Sequence, residues 1–138
     1  MSQLYWHRGM AEPSRVELGQ KIAISASGIE ISLQKVAVTG GSYEGMRPLN
    51  PDGKPENDGV VAIIGTVIKG KPAVLWTTDM WITDENGQRN AKRDMASTAK
   101  GRGFTLLFNV PKSSRKLVLH FGDAVAIDLA PFLQVRNQ

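Results

Sequence analysis

The run VVAIIGTVI, Val60 to Ile68, is apolar at both parities and rich in β-branched residues. A strand sends successive side chains to opposite faces, so a strand apolar at every position must be covered on both. Such a segment belongs in the middle of a sheet, with a core on one side and further cover on the other. The rest of the chain has to supply its neighbours.

The flanking runs do read as neighbours. In KIAIS (Lys21–Ser25), Ile22 and Ile24 share one face. Ile29, Ile31 and Leu33 share a face, but Val36 and Val38 in the same run have the opposite parity. A strand changes parity only through an extra residue, so a β-bulge is expected near Gln34–Lys35. AVLW (Ala73–Trp76) and DMWIT (Asp79–Thr83) read as short strands or one interrupted strand. Asn86-Gly87 then signals a hairpin. Three late runs alternate clearly: Phe104–Val110, Lys116–Gly122 and Ala124–Leu129. Pro111 ends the first of them.

Eight or so short strands with turn residues between them, and no convincing helical period, read as an all-β sandwich. Its expected core is Ile22, Ile31, Leu33, Val61, Ile63, Phe104, Leu106, Phe108, Leu119 and Ile127. A chain of 138 residues is one domain. Residues 1–15 are read as an N-terminal arm and 16–138 as the sandwich. Gly40–Gly59, dense in Gly, Pro, Asn and Asp, is a long surface loop.

The function classes narrow from here. With no cysteine, thiolate nucleophiles, disulfides and cysteine zinc sites are excluded. A net charge of +4 from 17 basic and 13 acidic residues is spread along the chain, unlike the concentrated face of a dedicated nucleic-acid binder. Nucleic acid is therefore an unlikely partner. No apolar run approaches the roughly 20 residues that span a bilayer. MSQLYWHRGMAEPSR lacks the apolar core of a leader, so the chain is read as cytoplasmic, or as extracytoplasmic with its leader trimmed.

WITDENGQRNAKRD sets Asp84, Glu85 and Asp94 near Arg89, Lys92 and Arg93, and raises the question of an active site. It lacks the ligand spacing of an EF-hand. Its acids are expected on the hairpin turn, solvated and ionised. Asp52, Glu56, Asn57 and Asp58 could wrap a weak calcium ion, but Lys54 sits among them and a solvated loop is the simpler reading. His7 and His120 make no spaced metal pair; His120 is expected to be a partly exposed sheet residue. There is no nucleophile elbow. KGRG (Lys100–Gly103) precedes a strand, not the helix a phosphate loop needs. The reading is non-enzymatic, with no cofactor and no metal.

Binding candidates remain. Trp76 and Trp81 differ in parity, so one is expected in the core and the other exposed or at an edge, where it could stack on a sugar or base beside a cation. Lys92, Arg93, Lys100 and Arg102 form a basic shoulder suited to an anionic polymer. Tyr5 and Trp6 in the arm are apolar hooks for a partner or a second copy of the chain. A loop-built site would require the Gly40–Gly59 and Asn90–Gly103 segments to meet at one end of the sandwich.

Leu18 to Leu129 resembles an immunoglobulin-like family of bacterial domains of unknown function, found in secreted proteins and lipoproteins and sometimes labelled telomeric repeat-binding factor 2. The resemblance rests on LGQKIAIS with its following long strand, on GVVAIIGTVIKGKPAVLWTTDMWITDENGQRNAKRD, and above all on GFTLLFNVPKSSRKLVLHFGDAVAIDL. It departs in the longer Gly40–Gly59 loop and in having no lipid-bearing cysteine. The resemblance implies an immunoglobulin-like antiparallel β-sandwich of about seven to nine strands, extracytoplasmic and without catalytic residues. The expected function is an accessory or adhesion-like module for a protein or a cell-surface polymer. Two alternatives stand beside it: a carbohydrate- or nucleic-acid-binding β-domain, and a structural subunit of a larger assembly.

Overall fold

The computed structural model describes residues 12–40, 42–45, 57–97 and 101–133. The strands are β1 (Ile22–Ile24), β2 (Ile29–Gly40), β3 (Gly59–Lys69), β4 (Met80–Thr83), β5 (Arg89–Ser97), β6 (Gly103–Val110), β7 (Val118–Phe121) and β8 (Val125–Asp128). A single-turn helix, α1 (Ala130–Leu133), follows β8, and 3-10 turns occupy Ser25–Ser27 and Pro72–Trp76. The strands form one ladder of eight in the order β1-β2-β3-β6-β5-β4-β7-β8, each neighbouring pair antiparallel.

The ladder curls until its two ends approach. Ser14 makes a parallel bridge to Ile127, donating its N–H to the Ala126 carbonyl and accepting from the Asp128 N–H. Five residues later Gly19 N–H donates to the Leu33 carbonyl of β2. The chain therefore steps from the β8 edge to the β2 side before β1 begins, and the molecule is nearly a closed barrel. The fold is all-β and mostly antiparallel. Ser14, inside the expected arm, is thereby hydrogen-bonded to the body.

β3 lies between β2 and β6, as its two-sided apolarity requires. Val61, Ile63 and Val67 point into the main core. Val60 and Ala62 point outward and pack with Leu107 in a second cluster, covered by Ala37, Tyr43 and Ile64. The predicted bulge is present: the β2–β3 register shifts between Leu33 and Lys35. The extra residue turns Val36 and Val38 back onto the main core. All ten residues expected in the core are buried there.

A register shift between Lys92 and Asp94 lets β5 serve both halves of the barrel. Its first residues pair with β4 and the rest with β6. AVLW is not a strand. Pro72 fixes the backbone for a 3-10 turn that carries the chain from β3 to β4 across one end of the barrel, with Leu75 buried beneath it.

Gly65 marks the closest approach of backbones. A Cβ there would collide with the Ser32 carbonyl and with the ring of Phe104, its cross-strand partner. The glycine lets Phe104 lie flat across the sheet at the point where β2 bulges.

Candidate functional site

The segments at the end where β3 finishes build a cleft. Gly70, at φ +96°, turns the chain against Ile29. The 3-10 turn then buries Leu75 and leaves Trp76 55% exposed. Thr78 locks that turn: its hydroxyl donates to the Val74 carbonyl at 2.8 Å and bonds Ser27 Oγ at 3.0 Å. On the far side, Arg102 Nη1 donates to the carbonyls of Val67 at 3.0 Å and Gly70 at 3.2 Å. Between them is a cleft of about 210 Å³, floored by buried Val67, Leu75, Met95 and Phe104 and rimmed by Pro72, Trp76, Ser97 and Arg102.

The structure thus brings together two of the sequence candidates, Trp76 and Arg102, on one cleft. Lys92 stands close by but is otherwise occupied. Its Nζ reaches the Leu75 carbonyl at 3.4 Å, and burial holds its pKa below the ordinary lysine value. Arg93 lies on β5, next to the bulge and half-buried. Tyr5, Trp6 and Lys100 lie outside the described residues, as do His7, Asp52, Lys54 and Glu56.

Trp81 is the buried member of the tryptophan pair, on the outer face of β4. Its ring stacks on His120 at 5.0 Å between centroids and 10° between planes, and the Arg89 guanidinium sits over it at 4.2 Å. His120 Nε2 is 3.0 Å from Thr83 Oγ1. Burial, and secondarily the Arg89 charge, push the His120 pKa below its ordinary value, while Asp123 pulls the other way. His120 does face away from Leu117, Leu119 and Phe121, but it is buried and not partly exposed, because Trp81 covers it. Trp81 is therefore no platform for a ligand.

The hairpin at Asn86-Gly87 forms as expected, with Gly87 at φ +77°. Asp84 is not solvated, however. It is 7% exposed, and its Oδ1 accepts from the Asn86 and Gln88 N–H groups at 2.9 and 3.1 Å. The carboxylate closes the five-residue turn from within. Glu85 is exposed, and nothing is described of the Asp94 side chain. Among the described residues no group of three His, Cys, Asp or Glu could hold a metal ion.

The two candidate segments meet where Asn57 Nδ2 donates to Asn90 Oδ1 at 3.3 Å. The far end of the second segment lies apart from the first: Gly59 pairs with Val110 and Thr66 with Gly103, at opposite ends of the β3–β6 pair. Most of Asn90–Gly103 is strand β5 and not loop. Residues 46–56 and 98–100 of these segments lie outside the described residues, and the cleft beside Trp76 is a separate feature at the other end.

No protein-family model, curated protein or solved structure matches the chain. Its geometry stands on its own terms.

Sequence reasoning missed a polar network at the loop end. Asn109 is 4% exposed; its Oδ1 accepts from the Asn57 N–H, and its Nδ2 donates to the Asn57 and Gly59 carbonyls at 2.8 Å each. Asn57 Nδ2 in turn donates to Asn90 Oδ1, and Asn90 Nδ2 to the Ile82 carbonyl. Asp58 Oδ1 accepts from the Lys112 N–H at 2.7 Å. Asn57 and Asp58, two members of the suggested calcium set, are thus engaged in tying the loop to β6. One signal for this was available: an asparagine next to last in the apolar run FTLLFNV must find partners when buried.

Proposed function

We propose that this chain is a non-enzymatic binding module with an immunoglobulin-like sandwich, holding a surface polymer in the cleft beside Trp76. The observation that carries this reading is a half-exposed tryptophan and an anchored guanidinium lining one small cleft with an apolar floor. An indole face offers a flat apolar platform to a sugar ring, and a guanidinium offers directed donors. The sandwich reading is supported by the way β5, through its bulge, links a half built on β1, β2, β3 and β6 to a half built on β4, β7 and β8, with both facing one core.

The non-enzymatic reading is supported by the engagement of the reactive groups. His120 is held between Trp81 and Thr83, and Asp84 is spent on backbone N–H groups. Neither is placed to act on a substrate in the cleft. An extracytoplasmic setting follows from the same proposal, since surface polymers are met there. No helix among the described residues is long and apolar enough to cross a membrane.

Binding of the full chain to arrayed polysaccharides, compared with Trp76→Ala and with Leu18→Ala, tests this. Leu18 is 52% exposed and lies outside the cleft. Loss of binding in the first variant alone is expected. Equal binding by all three would reject the cleft as the site.

A further inference from the structure

We infer that the cleft takes a carboxylated sugar, a uronic-acid unit of an acidic polysaccharide; this rests on the polymer-binding reading above. The first argument is size. About 210 Å³ is less than the roughly 300–1,000 Å³ of sites for drug-sized ligands, so the cleft admits one ring and not a nucleotide cofactor.

The second is the way Arg102 is held. Its Nη1 donates to both the Val67 and Gly70 carbonyls. We assign the ligand to the Nε–H and Nη2–H edge, two nearly parallel donors beside the anchored Nη1. That fork matches the two oxygens of one planar carboxylate. The backbone anchoring fixes the fork before the ligand arrives, so less rotamer freedom is lost on binding.

The third is charge. Arg102 is the one cationic side chain lining the cleft among the described residues. Lys92, another of the basic candidates, directs its Nζ to the Leu75 carbonyl. A phosphate monoester carries about −1.5 to −2 at neutral pH, and a nucleic-acid backbone is held by several cations acting together. Trp76 covers the ring face, and the Ser97 hydroxyl at the rim can meet a sugar hydroxyl.

The test is calorimetric titration of the full chain with three probes: a galacturonate tetramer, the same tetramer with its carboxyls methyl-esterified, and an oligothymidylate. The acid tetramer should bind. The ester should bind about tenfold more weakly, the loss of one charge-assisted contact. Trp76→Ala and Arg102→Lys should each weaken the acid tetramer by about the same factor, since lysine keeps the charge and loses the fork. Arg102 also braces the turn, so a variant that melts early is set aside in favour of the acid–ester comparison, which needs no substitution.

Equal binding of acid and ester, both lost in Trp76→Ala, overturns the carboxylate assignment and leaves the polymer reading standing. Acid binding that survives Trp76→Ala overturns both. Preference for the oligothymidylate, or no binding of any probe, also overturns the inference.

Discussion

At the end of the barrel where β3 begins, three asparagines close on one another and on the backbone; at the end where β3 finishes, a tryptophan and an arginine are left on the rim of a cleft. Asn109 and Asn90 are buried at 4% and 2% exposure, and the bonds of both are made within the chain. Buried amides must be so arranged, because an unmade hydrogen bond there costs more than a made one gains. Among the described residues, the support of Trp76 and Arg102 comes from one side. Leu75 anchors the turn that carries the indole, and two carbonyls hold Nη1, while the other side of each group faces outward. The first end is a device for returning a long loop to the sheet. The second leaves an indole and a guanidinium at the surface.

Asn109→Ala should break the closed end most severely. It strips partners from the Asn57 N–H, the Asn57 carbonyl and the Gly59 carbonyl. At about 1 kcal/mol or more for each group left unmet, the loss is about 3 kcal/mol. Urea unfolding measures it, and a loss below about 1 kcal/mol would mean that the network contributes little. The corresponding change toward the open end is Gly65→Ala. The new methyl meets the Ser32 carbonyl and the Phe104 ring. Overpacking of this kind costs about 2 kcal/mol. Because Phe104 floors the cleft, the variant should also lose ligand binding, which Asn109→Ala should leave intact while folded.

The contrast between the ends also explains what could be read from the letters. Strand parity was legible: the Ile31/Leu33 to Val36/Val38 switch located the bulge, and the two-sided run Val60–Ile68 located the central strand. Both follow from a period of two and need no tertiary knowledge. AVLW was not legible as a turn, since apolar β-type residues after Lys71-Pro72 look like a strand until it is known that the chain must cross the barrel there. His120 was misread because parity tells which face a residue occupies and not what covers that face; Trp81 does. Asp84 was misread for a related reason. A carboxylate in a turn can face water or fold back onto the turn's own N–H groups, and local sequence permits both. The pairing of Trp76 with Arg102 depends on the β3–β6 register, which links residues 26 positions apart and leaves no mark in either segment alone.

His120 sharpens the comparison through the other tryptophan. Its folded pKa lies below the ordinary value of about 6.5. Between those two values the unfolded chain binds more protons than the folded one. Stability is therefore full above about pH 6.5 and declines as pH falls toward the folded pKa. The physical cause is a charge forced under Trp81 and near Arg89. His120→Gln should flatten that decline in thermal melts between pH 7 and pH 5. A decline of the same slope in the variant would assign it to other groups.

Trp76→Ala is the mildest change to the fold and the most informative about the site. The side chain is 55% exposed, and the turn beneath it is held by Leu75 and by Thr78. Surface truncations away from buried partners change stability little, here by less than about 1 kcal/mol. Were the loss several times larger, Trp76 would be a packing residue that happens to show one face, and the two ends of the barrel would differ only in degree. If stability holds while binding disappears, the indole is kept at that rim for a ligand. The asymmetry between a closed polar end and an open aromatic one then belongs to function and not to folding.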